Sequence, residues 1–368
     1  CLGLALLLAT ENGLAQATVT SLHPRSCKPG ATTQLTVTGK NLDAGLRLAT
    51  SYNSAEVHVE AVEPEKATIE LTLPDDVPLG PLGLWMATHD GPAEPFVVIV
   101  DDLPTVAESS GHHSPQSAQT ISTLTAVDGV SNGAKSDYYR IEVTKGQRVA
   151  FEILTQPIES TMDPVVRLLD EHGKTLYLAD DDEVGPDCRF DYEFSQAGEY
   201  LLEVRDNRYL AGGAYHLRVG DFPIIRHAYP LTVLAGERTS VQFAGADGAE
   251  AEPRDVGFPA SSVASTATVA TRFPMGQSSA WVPIRVCSLP QFVEGNSGDE
   301  DASGQAEPLA FPVAVSGRLS EPQQRDHYEI QGVKDVLVRI RSRTRSLGSA
   351  SLLRMRLFNA AGNQVAET

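Results

Sequence analysis

Along most of the chain, apolar and polar residues alternate with a period of two. QLTVTG (34–39), YYRIEV (138–143), RVAFEI (148–153), VVRLLD (165–170), YLLEVR (200–205), AYHLRV (214–219) and VLVRIR (336–341) all follow this rule. Successive side chains of a strand point to opposite faces, so each segment can give one face to a core and the other to water. Gly, Pro, Asp and Asn punctuate them roughly every ten residues, the rhythm of sandwich turns. No segment carries a convincing long amphipathic helical pattern. The chain is therefore expected to be all-β, built of tandem β-sandwich domains.

Self-comparison adds organisation to this pattern. HPRSCKPGATTQLTVTG (23–39) lies over YPLTVLAGERTSVQFAG (229–245) without a gap, so that Pro24, Gly30 and Gly39 meet Pro230, Gly236 and Gly245. Gly80 and Trp85 match Gly276 and Trp281 at equal spacing, and DLPTVAE (102–108) matches SLPQFVE (288–294). SDYYRI (136–141) lies over RDHYEI (325–330), and at the same offset Gly173 meets Gly362. Landmarks that recur in order indicate a pair of β-domains followed by a second copy of the pair. The expected boundaries are 18–102, 103–222, 223–288 and 289–368. At this offset Thr368 corresponds to Ala179, so the second copy stops where its own acidic loop would begin. Residues 103–120 read as a linker or entering strand, and 246–262 and 294–308 as acidic, Gly/Ser-rich connections.

Bulk properties narrow the function classes. A length of 368 residues suggests two to four domains, and 41% hydrophobic residues suffice for packed cores. A net charge of −19 argues against nucleic acid and against docking on an anionic membrane. The apolar run Leu2–Ala9 is too short to span a bilayer and is followed by Ala15-Gln16-Ala17, a small-x-small pattern. Residues 1–17 are thus read as the remnant of a signal peptide, which implies a secreted, cell-surface or periplasmic bacterial protein. Cys27, Cys188 and Cys287 remain beyond it, which allow at most one intramolecular disulfide.

The segment from VDGVSNGAKSDYYRIEV through DPVVRLLDEHGKTLYLADDDE to QAGEYLLEVRD and GAYHLRVG resembles the bacterial pre-peptidase C-terminal (PPC) domain. Its landmarks are Asp137, Tyr139, Gly146, Asp163-Pro164, Gly173, the acidic run at Asp180 and Gly198-Glu199-Tyr200. The likeness covers 103–222 and, more weakly, 305–368. HPRSCKPGATTQLTVTGKNL and GPLGLWMATHDGPAEPFVVIV, within 18–100, resemble an immunoglobulin-like IPT/TIG domain, and 223–288 resembles it more weakly. Tandem units of this kind are similar to large secreted planctomycete-type proteins. The resemblance implies jelly-roll-type and immunoglobulin-like sandwiches and an accessory, non-catalytic role beside secreted peptidases. Some relatives bind calcium or matrix polymers.

Candidate chemistry is sparse. HExxH, GxSxG, GxGxxG and P-loop patterns are all absent. Gly111-His112-His113-Ser114 places two histidines beside a serine in a polar stretch, and the reading preferred for it is a solvated loop. His89-Asp90-Gly91 reads as a turn. Arg339, Arg341 and Arg343, with Arg354 and Arg356, alternate with apolar residues as one solvated strand face would. The densest feature is LYLADDDEVGPDCRFDYEF (176–194), where Asp180, Asp181 and Asp182 run into Glu183, with Asp187 and Asp191 close behind. An EF-hand fits it only partly, because Val184 stands at position five and Asp191 at position twelve. Several hard oxygens on one turn still suit Ca²⁺. The expected site draws on Asp180, Asp181, Asp182, Asp187 and Asp191, with Asp163 as a further contributor. The alternative is a hydrated acidic turn whose side chains cap backbone amides.

The resulting expectation is a secreted, non-catalytic interaction or spacer module that binds an extracellular polymer, a partner protein or calcium. The alternative is the accessory region of a secreted hydrolase whose catalytic domain lies outside the chain. A stand-alone glycan-binding module is a third reading.

Overall fold

A computed structural model describes residues 17–368 except 90, 94, 183, 263–264, 296–305, 320 and 322. The expected signal-peptide remnant, apart from Ala17, lies outside the described residues. The protein is all-β: the described helical segments are three single turns of 3₁₀ helix at Pro115–Ser117, Gln156–Ile158 and Arg345–Leu347. The chain divides into two compact units. One comprises the described chain up to Val77, Pro81–Asp101 and Pro157–Ser160, and the other Pro78–Gly80, Asp102–Gln156 and Thr161–Thr368.

The first unit is a sandwich of two sheets. One runs Thr18–His23, Thr32–Lys40, Lys66–Thr72, Glu56–Glu63, and the other Ser26–Cys27, Phe96–Val100, Gly80–Thr88, Arg47–Thr50. Leu35, Val37, Ile69, Leu71 and Leu84 fill the space between them. Lys66–Thr72 shows the period-two rule directly, burying Ala67, Ile69 and Leu71.

The second unit opens with a five-on-five sandwich. One sheet has the order Thr105–Ala107, Thr125–Asn132, Ala211–Gly220, Arg148–Leu154, Arg189–Glu193. The other has the order Gln119–Thr120, Asp137–Val143, Gly198–Asp206, Pro164–Leu169, Thr175–Asp180. Tyr139, Ile141, Phe151, Val166, Phe190, Leu202 and Leu217 belong to the core between them. The first of these sheets is buried on both faces. Val149, Phe151 and Ile153 point into the sandwich, while Ala150 points out into a second core with Leu103, Ala126, Phe222, Ile225, Val241, Val282 and Ile284. That second core belongs to the sheets that follow, His227–Tyr229 with Arg238–Ala244 and Arg254–Gly257, and Thr232–Leu234 with Ala280–Cys287 and Ser265–Thr271.

The aligned segments 23–39 and 229–245 share geometry as well as residues. Pro24 and Pro230 both follow cis bonds, and Gly30 and Gly236 both adopt positive φ, +68° and +88°. Ser26–Cys27 and Thr232–Leu234 each pair in parallel with a later strand. That later strand corrects one match. It is Phe96–Val100 in the first case and Ala280–Cys287 in the second, so Trp281 lies on this partner strand. Trp85 lies on its neighbour, Gly80–Thr88. The equal spacing of Gly80–Trp85 and Gly276–Trp281 therefore joins non-equivalent strands.

Beyond residue 288 the pattern of parallel pairs returns, Gln291–Val293 with Ala314–Ser316 and Glu307–Leu309 with Tyr328–Ile330. A hairpin, Arg356–Phe358 with Gln364–Glu367, completes the described strands. VLVRIR (336–341) forms no strand, against expectation. RVAFEI (148–153), by contrast, is a strand because 189–193 and 211–220 supply hydrogen bonds on both its edges. Without such neighbours an alternating sequence has nothing to pair with. Cys27, Cys188 and Cys287 are buried, and no disulfide joins them to one another.

Candidate functional site

The register of one hairpin decides which aspartates meet. Pro164–Leu169 pairs antiparallel with Thr175–Asp180, setting Val165 opposite Asp180. This brings Asp163, just before one strand, to the end of the other, and Asp163, Asp180 and Asp181 come together with carboxylate oxygens within 4.8 Å of one another. Asp181 adopts a left-handed φ of +67°, a conformation aspartate tolerates better than most residues. Burial, then the Asp180 and Asp163 charges, raise its pKa above the ordinary carboxylate value.

The other three expected ligands are placed elsewhere. Asp182 pairs with Arg226 and closes a tight turn, its N–H donating to the Gly185 carbonyl at 2.8 Å. Asp187 accepts from the Thr155 and Gln156 N–H groups at 2.8 and 3.1 Å and from the Thr155 hydroxyl, so it caps a backbone turn. Burial raises its pKa despite these bonds. Asp191 accepts from Arg148 Nε at 2.7 Å. Glu183 lies outside the described residues.

A second polar cluster lies at the entrance to the same sandwich. Thr105–Ala107 joins the edge of one sheet and Gln119–Thr120 the edge of the other, both in parallel. Residues 108–118 must cross between them. The expected solvated histidine loop is not found there: His112 is only 1% exposed. The crossing chain is pinned by the His112 carbonyl, which accepts from Tyr138 N–H at 2.8 Å, and this drives the imidazole inward. His112 Nδ1 faces the Ser109 carbonyl, and Nε2 lies 3.3 Å from the Tyr139 hydroxyl and 3.6 Å from Asp137 Oδ1. His113 Nδ1 lies 3.0 Å from the same Asp137 oxygen. Tyr215 donates to Asp137 Oδ2 at 2.9 Å and shares a hydrogen bond with Tyr139 at 2.5 Å. Burial pushes both phenols well above their ordinary pKa.

Glu108 completes this cluster. Its Oε2 is 3.9 Å from His112 Nε2 and is buried without a hydrogen-bond partner. Burial, and then the Asp137 charge, raise its pKa. The sequence repeats three residues of this cluster, though not its histidines. Glu108 closes DLPTVAE as Glu294 closes SLPQFVE, and Asp137 and Tyr139 recur as Asp326 and Tyr328. In the later copy Tyr328 donates to Glu294 Oε1 at 3.0 Å.

Comparison with known proteins gives one matching family profile, quinohemoprotein amine dehydrogenase alpha subunit domain III, over residues 16–85. The family matched there is not the IPT/TIG family expected for that region. No curated protein matches. Among solved structures, the pre-peptidase C-terminal domain of Bacillus anthracis collagenase is 18% identical. The match covers 27% of this chain and 92% of that one, at a TM-score of 0.24. The adhesin InvE of Yersinia pseudotuberculosis is 14% identical over 69% of this chain and 66% of its own, at a TM-score of 0.20. SGBP-B from a xyloglucan utilization locus of Bacteroides uniformis is 13% identical over 55% and 72%, at 0.19.

Proposed function

We propose that the chain is an extracellular interaction or spacer module with no catalytic step of its own. The observation that carries this reading is the continuous core joining the 102–222 sandwich to the sheets that follow. Ala126, Ala150 and Phe222 pack with Ile225, Val241, Val282 and Ile284 where a flexible linker would leave polar, solvated surface. A stiff joint of this kind suits a protein that holds loops at a fixed separation for a partner. The acidic surface and the signal-like N-terminal sequence support an extracellular setting, and an extracellular polymer or protein as the partner class. Calcium is proposed to bind at Asp163, Asp180 and Asp181, the only three expected ligands that converge among the described residues.

Arrays of extracellular polysaccharides and matrix proteins, probed with the purified chain, test the reading. Retention of the chain with no release of products is the expected result. Turnover of a peptide or glycan by the chain alone would overturn it.

A further inference from the structure

We propose that His112, His113 and Asp137 form a site for one divalent transition-metal ion of the zinc or cobalt type. The site is distinct from the three-aspartate cluster.

The spacing of the donor atoms is the first argument. Zinc–nitrogen and zinc–oxygen bonds of about 2.0–2.2 Å place neighbouring ligands of a tetrahedral ion about 3.4 Å apart. Asp137 Oδ1 lies 3.0 Å from His113 Nδ1 and 3.6 Å from His112 Nε2. One carboxylate oxygen and one nitrogen from each ring all fall within 4.8 Å of one another. The two carboxylate–imidazole separations are thus within a few tenths of an ångström of that spacing, and the two ring nitrogens, at most 4.8 Å apart, would close on the ion by side-chain movement.

The second argument is how the ligands are held. Nδ1 of His112 faces a backbone carbonyl, that of Ser109, so it carries the proton and Nε2 presents its lone pair inward. Asp137 is oriented through its other oxygen by the Tyr215 hydroxyl, itself bonded to Tyr139. Outer contacts of this kind fix tautomer and ring angle in metal centres. Glu108 Oε2, 3.9 Å from His112 Nε2, is a buried carboxylate oxygen with no hydrogen bond of its own. It stands outside the three mutually close donors and would reach the ion only by a side-chain rotation. His113, 22% exposed, stands at the mouth and gives an ion a way in.

Ligand chemistry selects the metal. Two imidazoles with carboxylates suit zinc, cobalt or nickel, whereas calcium takes oxygen donors. The later copy keeps Glu294, Asp326 and Tyr328, but no histidine occurs between residues 289 and 326. One ion per chain is therefore expected.

The test is a cobalt(II) titration of the full chain after chelator treatment, read by visible absorption and by the thermal midpoint. One equivalent should bind with the intense absorption of tetrahedral cobalt, and the midpoint should rise by several degrees. His113→Ala, at the mouth, should weaken binding at least about tenfold, whereas His172→Ala should not change it. An excess of calcium should not displace the ion. No absorption and no midpoint shift, equal binding by His113→Ala, or displacement by millimolar calcium would each overturn the assignment.

Discussion

The guanidinium of Arg218 lies 4.0 Å from the centre of the Trp281 ring and 4.4 Å from that of Phe222. It is fully buried, and it donates to Glu152 Oε2 and to the Ser279 carbonyl, both at 2.6 Å. The strand Ala211–Gly220 thus sends Tyr215, Leu217 and Val219 into its own sandwich and Arg218 into the joint with the next sheets. Glu152 also binds Arg189 at 2.6 Å, so one carboxylate serves two arginines.

Removing Arg218 leaves Glu152 with less countercharge in a water-poor joint. Arg218→Ala is expected to lower stability by about 3–5 kcal/mol, the usual cost of breaking a buried pair from one side. Paired replacement by Arg218→Met and Glu152→Leu should recover a large part of that. Denaturant unfolding of the three proteins checks both statements.

Gly39 and Gly245 align in sequence for a steric reason visible in both copies. A Cβ at Gly39 would stand 2.2 Å from the Thr18 carbonyl oxygen, and one at Gly245 would stand 2.8 Å from that of Ile224. The obstacle is backbone, which does not rotate away. Gly245 also holds φ at +141°. Gly245→Ala should cost more than about 1 kcal/mol, while Gly173→Ala, where no atom lies within 4 Å, meets only the backbone penalty at its positive φ. Comparing their melting temperatures separates collision from conformational strain.

Alkaline pH should weaken the protein through Tyr139 and Tyr215. Both phenols have pKa values raised in the folded state, so their contribution is fully present below the ordinary value of 10.0 and is lost as pH rises beyond it. Denaturation midpoints are expected to be insensitive to this pair up to about pH 9 and to fall steeply from pH 10. Tyr139→Phe should make that fall shallower, at a cost near neutrality of about 1 kcal/mol for the lost hydrogen bond.

Calcium dependence should follow geometry and not the density of acidic residues. Millimolar calcium is expected to raise the melting temperature of the chain, and Asp181→Asn to abolish the rise. In chelator the same substitution should be mildly stabilising, because Asp180 and Asp163 both repel Asp181. Asp187→Ala should leave the calcium response intact and cost about 1 kcal/mol for the lost backbone cap. Thermal melts in calcium and in chelator distinguish these outcomes.

The strands were legible because alternation needs only local sequence. Six of the seven period-two segments quoted above are strands, and VLVRIR is not. The acidic loop was half legible. Sequence adjacency suggested five ligands, but adjacent strand and turn residues point in different directions, and Asp182, Asp187 and Asp191 are drawn to Arg226, a backbone turn and Arg148. The histidine cluster was illegible as chemistry. Its partners Asp137 and Tyr215 come from strands far along the chain, and nothing near Gly111 announces that the crossing segment turns inward.

By itself the sequence determined which residues alternate, where glycine is obligatory, and that the pattern recurs, since these depend on local sterics and on period. Only the tertiary structure decided what covers each polar face. His216, Arg218 and Glu152 alternate with core residues as solvent-facing positions would, yet all three are buried. A further layer of sheets packs on the face that carries Arg218 and Glu152 and converts their charges from a hydrated surface into a desolvated joint. Period two fixes which side a residue takes, and packing alone fixes whether that side is wet.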